Sequence, residues 1–127
     1  MKIVLPYPPS VNTYWRSVVI KGRVVVLLSA NARVYRKDCL ARVLKEHGVL
    51  RPSTERCRVV ITVHPPDHRR RDLDNTLKGV LDALRYCRVI EDDSLIDVLT
   101  VLRGHVSKDS PRVEVQVTEI LSPIEVQ

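Results

Sequence analysis

The stretch RVVITVHPPDHRRRDLDN, Arg58 to Asn75, decides the fold. Arg58 to Pro65 has the β-branched density of a buried strand, and the prolines at 65 and 66 end it, because proline donates no ladder hydrogen bond. Past the strand end, Arg69, Arg70 and Arg71 press against Asp72 and Asp74. Asp74 or Asn75 can then cap a helix whose apolar positions Leu77, Val80, Leu81 and Leu84 form one face. The segment reads as strand, charged loop, helix. The arginines supply more cations than the two aspartates need, so plain neutralisation explains too little. A solvated basic loop is the bland alternative. A site that holds a polyanion over a metal ion is the sharper one.

Working outward, KIVL near the N-terminus reads as a short strand stopped by PYPPS, and VNTYWRS as a polar, aromatic loop. VVIKGRVVVLL is two β-branched runs joined at Lys21 and Gly22, a hairpin signal because glycine accepts the positive φ of a tight turn. Ser29 or Asn31 can cap a helix running to about residue 47, with Tyr35, Cys39, Val43 and His47 at helical spacing and Gly48 suited to its end. After the motif helix, which ends near Cys87, EDDS is a turn, LIDVLTVLRGHV a strand, Ser107 to Pro111 a polar turn, and RVEVQVTEI an alternating, half-buried strand. The order β, ββ, α, β, α, β, β predicts an α+β fold: a mixed β-sheet of about five to six strands with two main helices gathered on one face. At 127 residues, 1–127 is expected to be a single domain.

Composition narrows the partner. A net charge of +6 favours an anionic ligand such as nucleic acid. With no Phe and one Trp, the core must be aliphatic, and stacking platforms for single strands are in short supply. Cys39, Cys57 and Cys87 are odd in number and far apart, which argues against a disulfide framework or zinc site and for buried thiols in a reducing cytoplasm. The N-terminal apolar run is too short for a signal peptide, and no run reaches the length that spans a bilayer. A soluble, cytoplasmic protein without a membrane partner is expected.

Asp72 and Asp74, two apart in extended backbone, point the same way and can share a hard cation, Mg²⁺ or Mn²⁺. Helix capping is a direct competitor for these acids. Lys78 stands four residues after Asp74 and four before Asp82, so an exposed ion pair with Asp82, worth about 0.3–0.5 kcal/mol, is its ordinary reading. In the acidic turn Glu91, Asp92, Asp93, the last can return to complete a cluster with Asp72 and Asp74. Three acids around Mg²⁺, a lysine for the extra transition-state charge, and arginines on backbone phosphates are what phosphodiester hydrolysis needs.

The run PDHRRRDLDN, with Lys78 and IEDD after it, resembles the RusA family of Holliday-junction resolvases. LPYPPSVNTYWR followed by LSANARVYRKD is similar to that family's opening, and the likeness spans nearly the whole chain. It implies a Mg²⁺-dependent homodimeric endonuclease, with Mn²⁺ as a possible substitute, that cuts four-way or other branched DNA by paired symmetric nicks in recombination and repair. Carried over, Asp72, Asp74 and Asp93 are the metal-binding catalytic aspartates and Lys78 the catalytic lysine. Cutting beside CC dinucleotides is a provisional expectation. Relatives close the motif helix with a small residue and Gly, whereas this chain has Cys87 and Arg88. Arginine is a poor occupant of the left-handed conformation, so a different helix exit is expected.

Around this centre, Arg69, Arg70, Arg71, Asn12, Trp15 and Arg16 are candidate DNA contacts. Trp15 either stacks on an exposed base or lies in the core or a dimer interface. Arg33, Arg36 and Lys37 extend the basic surface if their face of the first helix is exposed, and otherwise form its normal solvated side. His64 and His105 read as structural, and His68 as a loop residue without special duty. Two other functions compete: a branched-DNA-binding protein without turnover, and a nucleotide phosphohydrolase. The intact acids and lysine disfavour the first, and the lack of a Gly-rich phosphate loop disfavours the second.

Overall fold

A computed structural model describes residues 1–122. The elements are β1 (Lys2–Pro6), α1 (Val11–Tyr14), β2 (Trp15–Ile20), β3 (Arg23–Leu28), α2 (Ala30–His47), β4 (Cys57–His64), α3 (Leu77–Tyr86), β5 (Ile96–Arg103) and β6 (Arg112–Glu119). Short 3₁₀ turns at Leu73–Thr76 and Asp93–Leu95 precede α3 and β5. The expected order of elements holds, but VNTYWRS is not a loop: Val11–Tyr14 form the one-turn helix α1, whose start is capped by the Ser10 hydroxyl accepting from the Asn12 N–H, and β2 already begins at Trp15.

Six strands form, but not in one sheet. Four make a mixed sheet in the order β1-β6-β4-β5, and β2 with β3 make a separate two-stranded sheet. The hairpin turn is Lys21 at φ 51 and Gly22 at φ 77, the two positive values of a type I′ turn. In the main sheet, β6 runs antiparallel to β1 and β4, and β5 parallel to β4. Ile3, Val115, Ile61 and Val101 stand in one row across all four strands, and Leu5, Val113, Val63 and Arg103 in the next.

Those rows face α2 and α3. On α2 the stripe is Ala32, Tyr35, Cys39 and Val43; His47 continues the spacing but lies exposed. The Ser29 hydroxyl caps the helix by accepting from the Ala32 N–H at 3.1 Å, and Gly48 leaves it at φ 73. On α3 the buried stripe is Val80, Ala83 and Leu84, with Leu77 and Leu81 packed beside it. Fully burying Val80 and Leu84 contributes about 1.5–3 kcal/mol each. A ten-residue helix is marginal by itself, so packing rather than propensity fixes the orientation of its outer face. Cys39, Cys57 and Cys87 are free thiols buried in this core. Among the described residues no helix is long and apolar enough to cross a membrane.

Candidate active site

The site begins where β4 runs out into the arginine loop. Asp67 organises that loop: its carboxylate accepts from the Arg69 backbone N–H at 2.9 Å and pairs with the Arg71 guanidinium at 2.7 Å. The Arg69 N–H first, and the Arg71 guanidinium after it, hold the Asp67 carboxyl below the usual carboxylate range. Arg71 also donates to the Asp67 carbonyl at 3.2 Å, and Arg103, at the end of β5, donates to the Arg71 carbonyl at 2.9 Å. Of the three arginines, Arg71 is therefore mostly a brace, whereas Arg70 is exposed and the Arg69 side chain is 84% exposed.

Asp72 has extended backbone, φ −80° and ψ 142°, but the 3₁₀ turn starts immediately after it. The Asn75 N–H donates to the Asp72 carbonyl at 3.2 Å and the Thr76 hydroxyl to the Leu73 carbonyl at 3.2 Å. Asp74 thus sits inside a helical turn, and the extended geometry that would aim Asp72 and Asp74 the same way is not formed. Capping does not consume the acids either. Neither Asp74 nor Asn75 caps α3; Thr76 holds the position before that helix, and neither Thr76 nor Asp72 makes a side-chain cap bond.

At the other end of α3 the chain departs from expectation in the opposite sense. Arg88 itself takes the left-handed conformation, φ 63. Its N–H donates to the Arg85 carbonyl at 3.1 Å and the Val89 N–H to the Leu84 carbonyl at 2.9 Å, the paired bonds of a Schellman ending. The buried Val89 and Ile90 follow, and then the acidic turn. There the two aspartates divide their work. The Ser94 hydroxyl donates to Asp92 at 2.6 Å and lowers its pKa, so Asp92 stabilises the turn, while Asp93 stays exposed.

Trp15, Lys78, Leu81, Asp82, Arg85 and Asp93 line one surface pocket. Asp72 lines a different hollow with Tyr7, Arg71 and Arg103. Trp15 is 42% exposed and meets the Tyr14 ring edge-on at 5.3 Å, so it is neither core nor fully displayed. The Lys78–Asp82 ion pair that helical spacing suggests does not form. Asp82 turns inward to the Tyr14 hydroxyl and to the Arg36 fork, whose Nε and Nη2 both reach it at 2.7 Å. Arg36 also lies over the Tyr86 ring at 5.1 Å. It is thus committed to the interior and does not join the exposed Arg33 and Lys37 in a basic surface. Asn12 and Arg16 are exposed. His64 is buried, its Nδ1 3.0 Å from the His105 carbonyl oxygen, the structural role expected of it.

Among the described residues, no Lys, Arg or His pairs with Asp72, Asp74 or Asp93, and no carboxylate pairs with Lys78. Exposed carboxylates left unpaired in a chain of net charge +6 are hard oxygen donors suited to a divalent cation. As they stand, the three do not converge: among the described residues no three His, Cys, Asp or Glu side chains are grouped to hold one ion. Arg85 and Arg103 were not singled out from the sequence. Arg85 was legible, two turns beyond Lys78 on the same helical face; Arg103 required knowledge of the β4–β5 pairing.

A family profile described as "Endodeoxyribonuclease RusA" matches residues 6–118. The chain is 39% identical over 121 residues to "Crossover junction endodeoxyribonuclease rusA" of Enterobacteria phage HK97, covering 95% of this chain and 96% of that one. To the proteins of the same name from Escherichia coli K12 and Enterobacteria phage 82 it is 38% and 37% identical over 122 residues, with 93% of each chain covered.

Proposed function

Because the chain belongs to the RusA endodeoxyribonuclease family and is a nuclease of the crossover-junction type, we propose that its substrate is a four-way or other branched DNA, cut by paired, symmetric nicks in recombination and repair. The observation that carries this reading is the set of charges around α3 that are unpaired among the described residues: Asp72, Asp74 and Asp93 without cations, and Lys78 without an anion. None of the four is spent on an ion pair, so they are free to meet a metal cation and a phosphate.

Asp72, Asp74 and Asp93 would hold Mg²⁺, or Mn²⁺ in its place, which on binding withdraws charge from a phosphate and acidifies water. Lys78 offers its ammonium to the phosphoryl oxygens, where charge grows in the transition state. Arg69 and Arg70, the exposed arginines of the loop, neutralise backbone phosphates, with Arg71 holding the loop in shape. Asn12, Trp15, Arg16, Arg33 and Lys37 extend the DNA surface; Trp15, half-exposed in the Lys78 pocket, suits stacking on an unpaired base. A homodimer matches the two-fold symmetry of a junction and sets two such sites on opposing strands. The free thiols suit a reducing cytoplasm.

A synthetic four-way junction with each arm end-labelled tests the proposal. With Mg²⁺ the protein is expected to release nicked duplexes cut at symmetric positions. If it retains the junction in a gel shift but leaves every strand whole with Mg²⁺ and Mn²⁺, the branched-DNA-binder reading replaces this one.

A further inference from the structure

Asp82 is the one carboxylate in the pocket that lies buried, at 9% exposure, and it is surrounded by cations from two helices. Its helical neighbours are Lys78 one turn before and Arg85 three residues after, both lining the same pocket. Left alone, a carboxylate at that position would pair with Lys78 by the ordinary i, i+4 contact. Here both its oxygens are committed elsewhere. Arg36 grips Oδ2 through Nε and Oδ1 through Nη2, and the Tyr14 hydroxyl donates to Oδ2. Arg85 adds two long ion pairs without hydrogen bonds, 3.7 Å to Asp82 and 3.9 Å to Asp92.

Resting on the reading of Lys78 as a phosphate-facing group, we propose that Arg36 is a positioning residue: with Tyr14 it holds the Asp82 carboxylate away from Lys78, so that Lys78 keeps its charge for DNA. Three further features support this division. Arg36 is anchored on its far side by the Tyr86 ring, so its fork is fixed in direction. A bidentate arginine fork satisfies a carboxylate more completely than a lysine ammonium can. Gly79 lets α3 approach the proline turn: a Cβ there would stand 3.0 Å from Pro8 Cβ, tighter than an ordinary contact, and in ordinary contact with Tyr14 Cε2 at 3.5 Å.

Without Arg36, the buried Asp82 carboxylate retains the Tyr14 hydroxyl and the long Arg85 ion pair, and Lys78, one helical turn away, is the further cation it can draw in. Arg36→Met is therefore expected to slow single-turnover junction cleavage by about tenfold, a fraction of the ~100- to 1,000-fold typical of losing one transition-state donor outright. It should also flatten the salt dependence of junction binding by about one unit of log–log slope, the mark of one lost phosphate contact. Two further variants decide whether Arg36 works through Asp82 and Lys78. In a Lys78→Met background, Arg36→Met should cost nothing more in rate. In Arg36→Met/Asp82→Asn, which removes the competing charge, rate and salt slope should recover most of the way. All rates are read at a temperature where circular dichroism shows each variant folded. If Arg36→Met slows the Lys78→Met protein by the same factor as the parent, or if Asp82→Asn restores neither rate nor slope, the proposal is overturned and Arg36 acts as a plain structural or direct DNA contact. A parent protein that binds junctions without cutting them overturns the underlying nuclease assignment of Lys78 instead, and this inference with it.

Discussion

Replacing Arg88 by glycine should stabilise the protein. Arg88 closes α3 at φ 63, in the left-handed region, while making the two hydrogen bonds of the helix ending through backbone atoms alone. Its side chain is exposed, and among the described residues it enters no ion pair or hydrogen bond, so truncation removes no polar contact. The left-handed conformation costs a non-glycine L-residue about 1–2 kcal/mol. Glycine releases that strain but adds about 0.4–1 kcal/mol of unfolded-chain freedom. The difference leaves Arg88→Gly more stable by roughly 0.5–1 kcal/mol, or about 2–5 °C in Tm for a chain of this length. Urea unfolding should show a higher midpoint with an unchanged slope, since the folded surface is the same. The buried Val89 and Ile90 that lead to Asp93 should hold their places, so junction cleavage should stay at the parent rate. A midpoint that falls or does not move would show that the left-handed arginine carries no strain here.

Gly104 makes the opposite case: a Cβ there would stand 2.4 Å from Cε1 of the buried His64, so Gly104→Ala should destabilise by about 1–3 kcal/mol in thermal melts. Burial pushes the Cys39 thiol up to about 12 and the Cys87 thiol up to about 11, and raises Cys57 as well. All three should resist a thiol-specific disulfide reagent at pH 8 in the folded protein and react at once in urea. The Arg36 and Tyr14 bonds hold the Asp82 pKa low against its burial. Its contribution to stability is thus complete above the unfolded carboxylate value near pH 4 and is lost as pH falls through the lower folded value. Asp82→Asn should unfold more readily at pH 7 and lose less further stability between about pH 4 and pH 2 than the parent does.

The local parts of this fold were legible because their signals are local. Two prolines end β4, Lys21 and Gly22 set the hairpin, and Ser29 and Gly48 bound α2, each acting on backbone within a few residues. The division of six strands into a four-stranded sheet and a free hairpin was not legible, since β-branched runs do not declare which edge they join. The site divides in the same way. The resemblance carried by the motif picked out the acids and Lys78, and the structure leaves those side chains unpaired. Extended geometry at Asp72 and Asp74 failed because a 3₁₀ turn begins between them. The ordinary Lys78–Asp82 pair failed because Asp82 has better partners 46 and 68 residues away in sequence, in Arg36 and Tyr14. Arg36 was mistaken for surface because its spacing on α2 matches Arg33 and Lys37 closely enough, and only the α2–α3 contact turns its fork inward.

The central claim is that the unpaired aspartates around α3 perform chemistry and do not merely shape a DNA-binding surface. The measurement that tests it most directly compares the parent protein with Asp74→Asn on the same labelled four-way junction, recording cleavage with Mg²⁺ and the dissociation constant in parallel. The account predicts that the variant binds at least as tightly, having lost a negative charge near the DNA, and that its cleavage is abolished. An Asp74→Asn protein that cuts at the parent rate while binding the junction normally would contradict it.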